Sequence, residues 1–127
     1  MQAKFILSKR KLLDQVKILE DLGLKISYSY KTNREVGNVL QDISDVDFSI
    51  HAKQEIDDIN DKNRVWFFTQ AESEDELKDL LERGIRNFVI DNEVDLDRIL
   101  NVICRARVKI NLSLRMKFKE HRIGSGK

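Results

Sequence analysis

Short runs of strand-forming residues alternate with amphipathic helical segments along nearly the whole chain, and this alternation limits the possible folds more than any other feature. Residues 4–7, KFIL, form a candidate strand. Ser8 follows as a candidate N-cap, Leu12, Leu13, Val16 and Leu19 recur at helical spacing, and Gly23 supplies a stop. The run KISYSYK (25–31) is the next strand, followed by a short helix faced by Val36, Val39 and Leu40. DFSIH (47–51) is a strand, and a short helix through Ile56 and Ile59 comes after it. NRVWFFT (63–69) leads to the helix EDELKDLLERG, with Ser73 and Glu76 as its capping box and Gly84 at its end. NFVID (87–91) precedes the helix NEVDLDRILNVI, for which Asp91 or Asn92 is the cap. KINLSLRMK (109–117) is the last strand, and EHRIGSGK beyond it has no periodic pattern.

VWFF and FVI are apolar at consecutive positions, not alternate ones. That pattern implies a sheet covered on both faces, as in parallel sheets packed by helices. The fold class is therefore α/β, with parallel βα repeats recurring about every 20 residues in a single domain over residues 1–127. The chain is long enough, at 127 residues, to bury a core. With 35% charged residues and a net charge of only +1, it has the composition of a soluble globular protein. Neither nucleic acid nor a membrane is implied as a partner by that balance. No apolar run approaches the ~18 residues of a membrane span. The N-terminus is too short in apolar residues for a secretory signal. Cys104 is the sole cysteine, so no internal disulfide and no Cys/His metal cluster is expected, and a cytoplasmic location is the default. Two architectures fit the pattern: an open, doubly wound sheet, or the first part of a TIM-type barrel.

In either architecture, ligands meet the carboxyl ends of the strands. Those ends carry Lys31 with Thr32 and Asn33, then His51, Thr69 with Gln70, Asp91 with Asn92, and Arg115 with Lys117. A phosphate-accepting receiver needs acidic residues at its first and third strand ends, where this chain has lysine and threonine. A lysine at a strand tip suits Schiff-base chemistry, because its amine attacks aldehydes once its pKa is depressed. On pattern alone, the leading reading is that Lys31 begins a solvated loop, since charged residues are mostly exposed.

Tyr28-x-x-Lys31-x-Asn33 resembles the cofactor-lysine motif of the pyridoxal-phosphate (PLP) decarboxylases that act on ornithine, arginine, lysine and diaminopimelate. The likeness continues in order along nearly the whole chain. DFSIHAKQEI (47–56) is similar to the family's second strand and the glutamate after it. RVWFFTQAESEDELKDLLERGI is similar to its third unit, and FVIDNEVDL (88–96) to its fourth-strand signature. NLSLRMK (111–117) resembles the fifth strand with its arginine, and IGSGK the loop leading onward. The resemblance implies an alanine-racemase-like barrel, of which this chain would supply about five βα units. It also implies PLP as cofactor, with Lys31 as the lysine that carries it. Glu55 and Arg115 would lie beside the cofactor. From its place at a strand end alone, and not from the resemblance, His51 is either a residue that cofactor or substrate meets or a satisfied structural histidine. The implied activity is decarboxylation of a basic, ornithine-like amino acid to a diamine, as in polyamine biosynthesis, in a cytoplasmic homodimer.

Two departures stand out. Ser49 follows Phe48 where the family has an aspartate, and Thr69 ends the third strand where an asparagine is common. The family's cofactor-stacking histidine, glycine-rich phosphate loop, pyridine-pairing carboxylate and C-terminal β domain have no counterpart here. The chain thus resembles the N-terminal part only, and is expected by itself to bind PLP weakly and not to turn over. Two other readings stay open: a PLP-binding, racemase-like relative, and an α/β interaction module that uses its unpaired sheet edges. GSGK lacks phosphate-loop spacing, and the basic C-terminal stretch has only Phe118 as an aromatic. His121 carries no signal. Cys104 is expected in the core, and Trp66, Phe67 and Phe68 are expected to serve packing.

Overall fold

The computed structural model describes residues 6–116. Within them, four α-helices interleave with five strands: α1 (Lys9–Asp21), β1 (Ser27–Ser29), α2 (Arg34–Ile43), β2 (Asp47–Ile50), β3 (Val65–Phe68), α3 (Glu74–Glu82), β4 (Asn87–Ile90), α4 (Glu93–Ala106) and β5 (Asn111–Leu114). Short 3-10 turns occupy Tyr30–Thr32, Lys53–Asp58 and Lys62–Arg64. Every strand pairs parallel with its neighbours, in the order β1-β2-β3-β4-β5. Strand order thus follows chain order without reversal. A doubly wound sheet reverses direction at a switch point, and the described strands contain none.

Strand register separates the side chains into two faces. Phe48, Ile50, Val65, Phe67, Phe88 and Ile90 share one face and join Val16, Leu40, Leu77, Leu80, Ile99 and Val102 of the four helices in one core. All four helices therefore pack on the same side of the sheet. The opposite face presents Ser27, Ser49, Trp66, Phe68, Val89 and Ser113, which line an open groove of about 240 Å³. Cover on both faces was expected from VWFF. Burial alternates along this strand instead, with Val65 and Phe67 buried and Trp66 and Phe68 half-buried.

The helix ends follow their sequence signals. Ser8 accepts a hydrogen bond from the Lys11 amide at 3.3 Å, and Ser73 accepts one from the Glu76 amide at 3.2 Å. Asn92, not Asp91, caps α4 by accepting from the Asp95 amide at 2.8 Å. Gly23 and Gly84 hold φ of +78° and +94° just past α1 and α3, where a side chain would be strained.

Several expectations need correction. No strand forms at Ile6 and Leu7; Ile6 is 85% exposed, so no burial draws it to the sheet, and positions 4 and 5 lie outside the described residues. The second expected strand stops at Ser29, because the Tyr30 ring turns under α2 and is fully buried there. Cys104 is exposed. It lies two residues beyond buried Val102, on the opposite side of α4. Lys117, Phe118, His121 and the stretches EHRIGSGK, IGSGK and GSGK lie outside the described residues.

Candidate functional site

Alternation past the strand ends carries several polar side chains to the carboxyl edge of the open face. The turn bearing Lys31 is held from both sides. Tyr30, fully buried, donates its hydroxyl to Asn38 Oδ1 at 2.7 Å and packs edge-on against Phe48, with ring centroids 6.3 Å apart. Burial raises the Tyr30 phenol's pKa, so it remains a neutral donor. Asn33 caps α2 by accepting from the Glu35 and Val36 amides at 3.1 and 3.3 Å, and its carbonyl accepts from the Tyr28 hydroxyl at 3.3 Å. Lys31, between these anchors, is exposed. The Tyr28-x-x-Lys31-x-Asn33 spacing thus corresponds to a physical clamp: the first and last residues bond across a turn that presents the lysine.

His51 follows β2 and stacks on Phe68 of β3, with centroids 4.4 Å apart and planes 24° from parallel. Phe68, expected to serve packing, is in the fold the platform under His51, while Phe67 serves the core. Burial lowers the His51 pKa from 6.5, and the charges of Lys31 and Arg115 lower it further, against an opposing pull from Glu55. The imidazole is therefore neutral at physiological pH. Those charges act on His51 from the turn after β1, the turn after β2 and the end of β5. The fold thus gathers Lys31, His51, Glu55 and Arg115 into one neighbourhood from positions as far apart as 31 and 115.

Among the described residues, two buried side-chain atoms there have no hydrogen-bond partner, His51 Nδ1 and Glu55 Oε2. Buried polar atoms are satisfied in the great majority of cases, so an open pair at one strand end is unusual. Arg115 is exposed, and its amide donates to the Ile90 carbonyl at 2.8 Å, continuing the β4–β5 ladder one residue beyond β5.

The other strand ends are structural. Thr69 is buried and donates to Asp95 Oδ2 at 3.2 Å; that oxygen also accepts from Asn92 Nδ2 at 2.9 Å. Asp95, overlooked in the sequence, ties the end of β3 to the start of α4. Asp91 accepts from the neighbouring Asn92 side chain at 2.9 Å. Ser49 bonds Ser27 across the strands at 2.8 Å on the open face. Among the described residues no group of acidic, histidine or cysteine side chains could hold a metal ion, and no helix is long and apolar enough to cross a membrane.

No protein-family model matches the chain, and no curated protein matches it. The functional reading therefore rests on the residues themselves.

Proposed function

We propose that the described residues are five consecutive units of a (βα)₈ barrel of the alanine-racemase-like type, and that the carboxyl edge of their open face is a PLP site with Lys31 as the covalent attachment point. The observation that carries this reading is the convergence of Lys31, Glu55, His51 and Arg115 on one strand edge, with two buried polar atoms unpartnered there. Sequential parallel order with helices on one side supports the barrel, since that is how barrel units are wound. Half-buried Trp66, Phe68 and Val89 on the other side suit a barrel interior.

The donor set fits the cofactor. Lys31 supplies an amine in a turn fixed by Tyr30 and Asn33. Arg115 supplies a positive charge suited to an anionic group, and Glu55 supplies an acceptor without a partner. Ser49, bonded to Ser27, offers a hydroxyl where the resembling family has a carboxylate. PLP, when bound, supplies an electron sink for the carbanion left by loss of CO₂ from an amino acid. The chain's own part is to hold Lys31 at the edge, to keep neutral His51 ready to accept a proton, and to keep Arg115 as a counter-charge. Decarboxylation of a basic amino acid is the activity this reading proposes, in a cytoplasmic setting. The remaining barrel strands, from further polypeptide, would pack on the exposed β5 edge, and a homo-oligomer would complete the site.

Titration of the protein with PLP tests this, with visible absorbance followed in the wild type, Lys31→Ala and Arg115→Ala. The reading predicts a saturable band in the wild type, its loss in Lys31→Ala, and weaker saturation in Arg115→Ala. Equal bands in wild type and Lys31→Ala contradict it, and would favour a scaffold that binds partners through its sheet edge.

A further inference from the structure

We propose that Glu55 and His51 form a carboxylate–imidazole pair, in which Glu55 accepts a hydrogen bond from Nδ1–H and leaves the Nε2 lone pair free. Three independent observations lead there. His51 Nδ1 and Glu55 Oε2 are both buried and both without a partner, and the two residues lie four positions apart around the Lys53–Asp58 turn. The turn itself is closed, with the Glu55 amide donating to the Ala52 carbonyl at 3.1 Å, which fixes the backbone that carries Glu55. The stack on Phe68 fixes the plane of the ring and leaves its edge atoms to do the bonding.

Pairing decides the tautomer. A neutral imidazole that donates its Nδ1–H to a carboxylate keeps its lone pair on Nε2. The charged groups bearing on that ring are Lys31, Glu55 and Arg115, two cations and one anion. The two cations oppose protonation, and Glu55 partly restores basicity. With its proton held on Nδ1, the ring offers the Nε2 lone pair as a hydrogen-bond acceptor to a ligand ammonium, which keeps its own proton. The ligand class is therefore a primary amine that also bears an anionic group, such as an α-amino acid. Its anionic group would meet the positive charge of Lys31 and Arg115. His51 becomes the acceptor in this scheme and Glu55 a positioning residue.

This proposal deepens the reading of the same edge, yet its test needs no cofactor, so the two can fail separately. The chain has only two histidines, and His121→Gln leaves His51 as the single imidazole signal. Nitrogen-15 NMR of ¹⁵N-histidine-labelled His121→Gln protein is expected to show a protonated Nδ1 and an unprotonated Nε2 at pH 8, with a titration midpoint below 6.5. Adding Glu55→Gln should shift proton occupancy toward Nε2 and lower the midpoint further, whereas adding Lys31→Ala should raise it. A proton resident on Nε2 in the parent overturns the proposal, and so does a folded Glu55→Gln variant with unchanged tautomer and midpoint. The parent measurement stands even where Glu55→Gln does not fold.

Discussion

His51 lies between two cations and one carboxylate on a phenylalanine platform, and its protonation is coupled to folding. The native state lowers its pKa below 6.5, so the unfolded chain binds the proton more readily. Stability from this group is complete above the unfolded value of 6.5 and is lost as pH falls through the native one. Urea unfolding at pH 7.5 and pH 5.5 should show wild type losing more stability on acidification than His51→Gln does. Equal losses would mean that the ring is not held neutral. At this scale the sequence was partly transparent. Lys31 could be singled out because an ammonium at a strand tip is unusual, and its spacing from Tyr28 and Asn33 proves to be a hydrogen-bonded turn. The platform role of Phe68 was hidden, because VWFF does not say which of its aromatic rings faces the core. Asp95 was hidden too, since its partners Thr69 and Ala71 are distant in sequence.

Elements position this site through a few tight contacts. A Cβ on Gly37 of α2 would come within 2.6 and 2.7 Å of the Tyr30 ring, which is wholly buried and cannot swing aside. Alanine ordinarily gains ~1 kcal/mol over glycine within a helix. Here overpacking, at about 1–3 kcal/mol, should win, so Gly37→Ala should destabilise the fold and displace the Lys31 turn. Chemical denaturation checks the sign, and a stabilised variant would refute the close-packing argument. Arg64 is a second device: its guanidinium donates to the carbonyls of Val46, Gln41 and Ser44 at 2.9, 3.1 and 2.8 Å, and lies 5.0 Å from the Phe48 ring centroid. Arg64→Ala should cost about 2–3 kcal/mol, because it strips charged donors from three carbonyls between α2 and β3. The capped helices were legible from Ser8, Ser73 and Gly84, since caps are local. The ends of β1 were not, because the burial of Tyr30 under α2 overrode the strand preference of SYSY.

Over the whole molecule, strand order carries the meaning. Among the described residues, five parallel strands in chain order with helices on one side leave three surfaces incomplete: the open face, the β1 edge and the β5 edge. All four β5 residues are exposed, and Leu112 and Leu114, on the helix side of the sheet, are 37% and 58% accessible. Such an edge is a template for further strands. Light scattering should therefore show concentration-dependent association, reduced by Leu112→Lys; a monomer at all concentrations would count against it. The α/β class and the unit repeat followed from periodicity alone. One-sided winding did not, because periodicity does not reveal which face a connection crosses. The measurement that bears most directly on the account is borohydride reduction of the PLP-treated protein, followed by peptide mass mapping. The account predicts a pyridoxyl label concentrated on the peptide that holds Lys31, and lost from it in Lys31→Ala. Labelling spread over surface lysines, with no preference for Lys31, would contradict it.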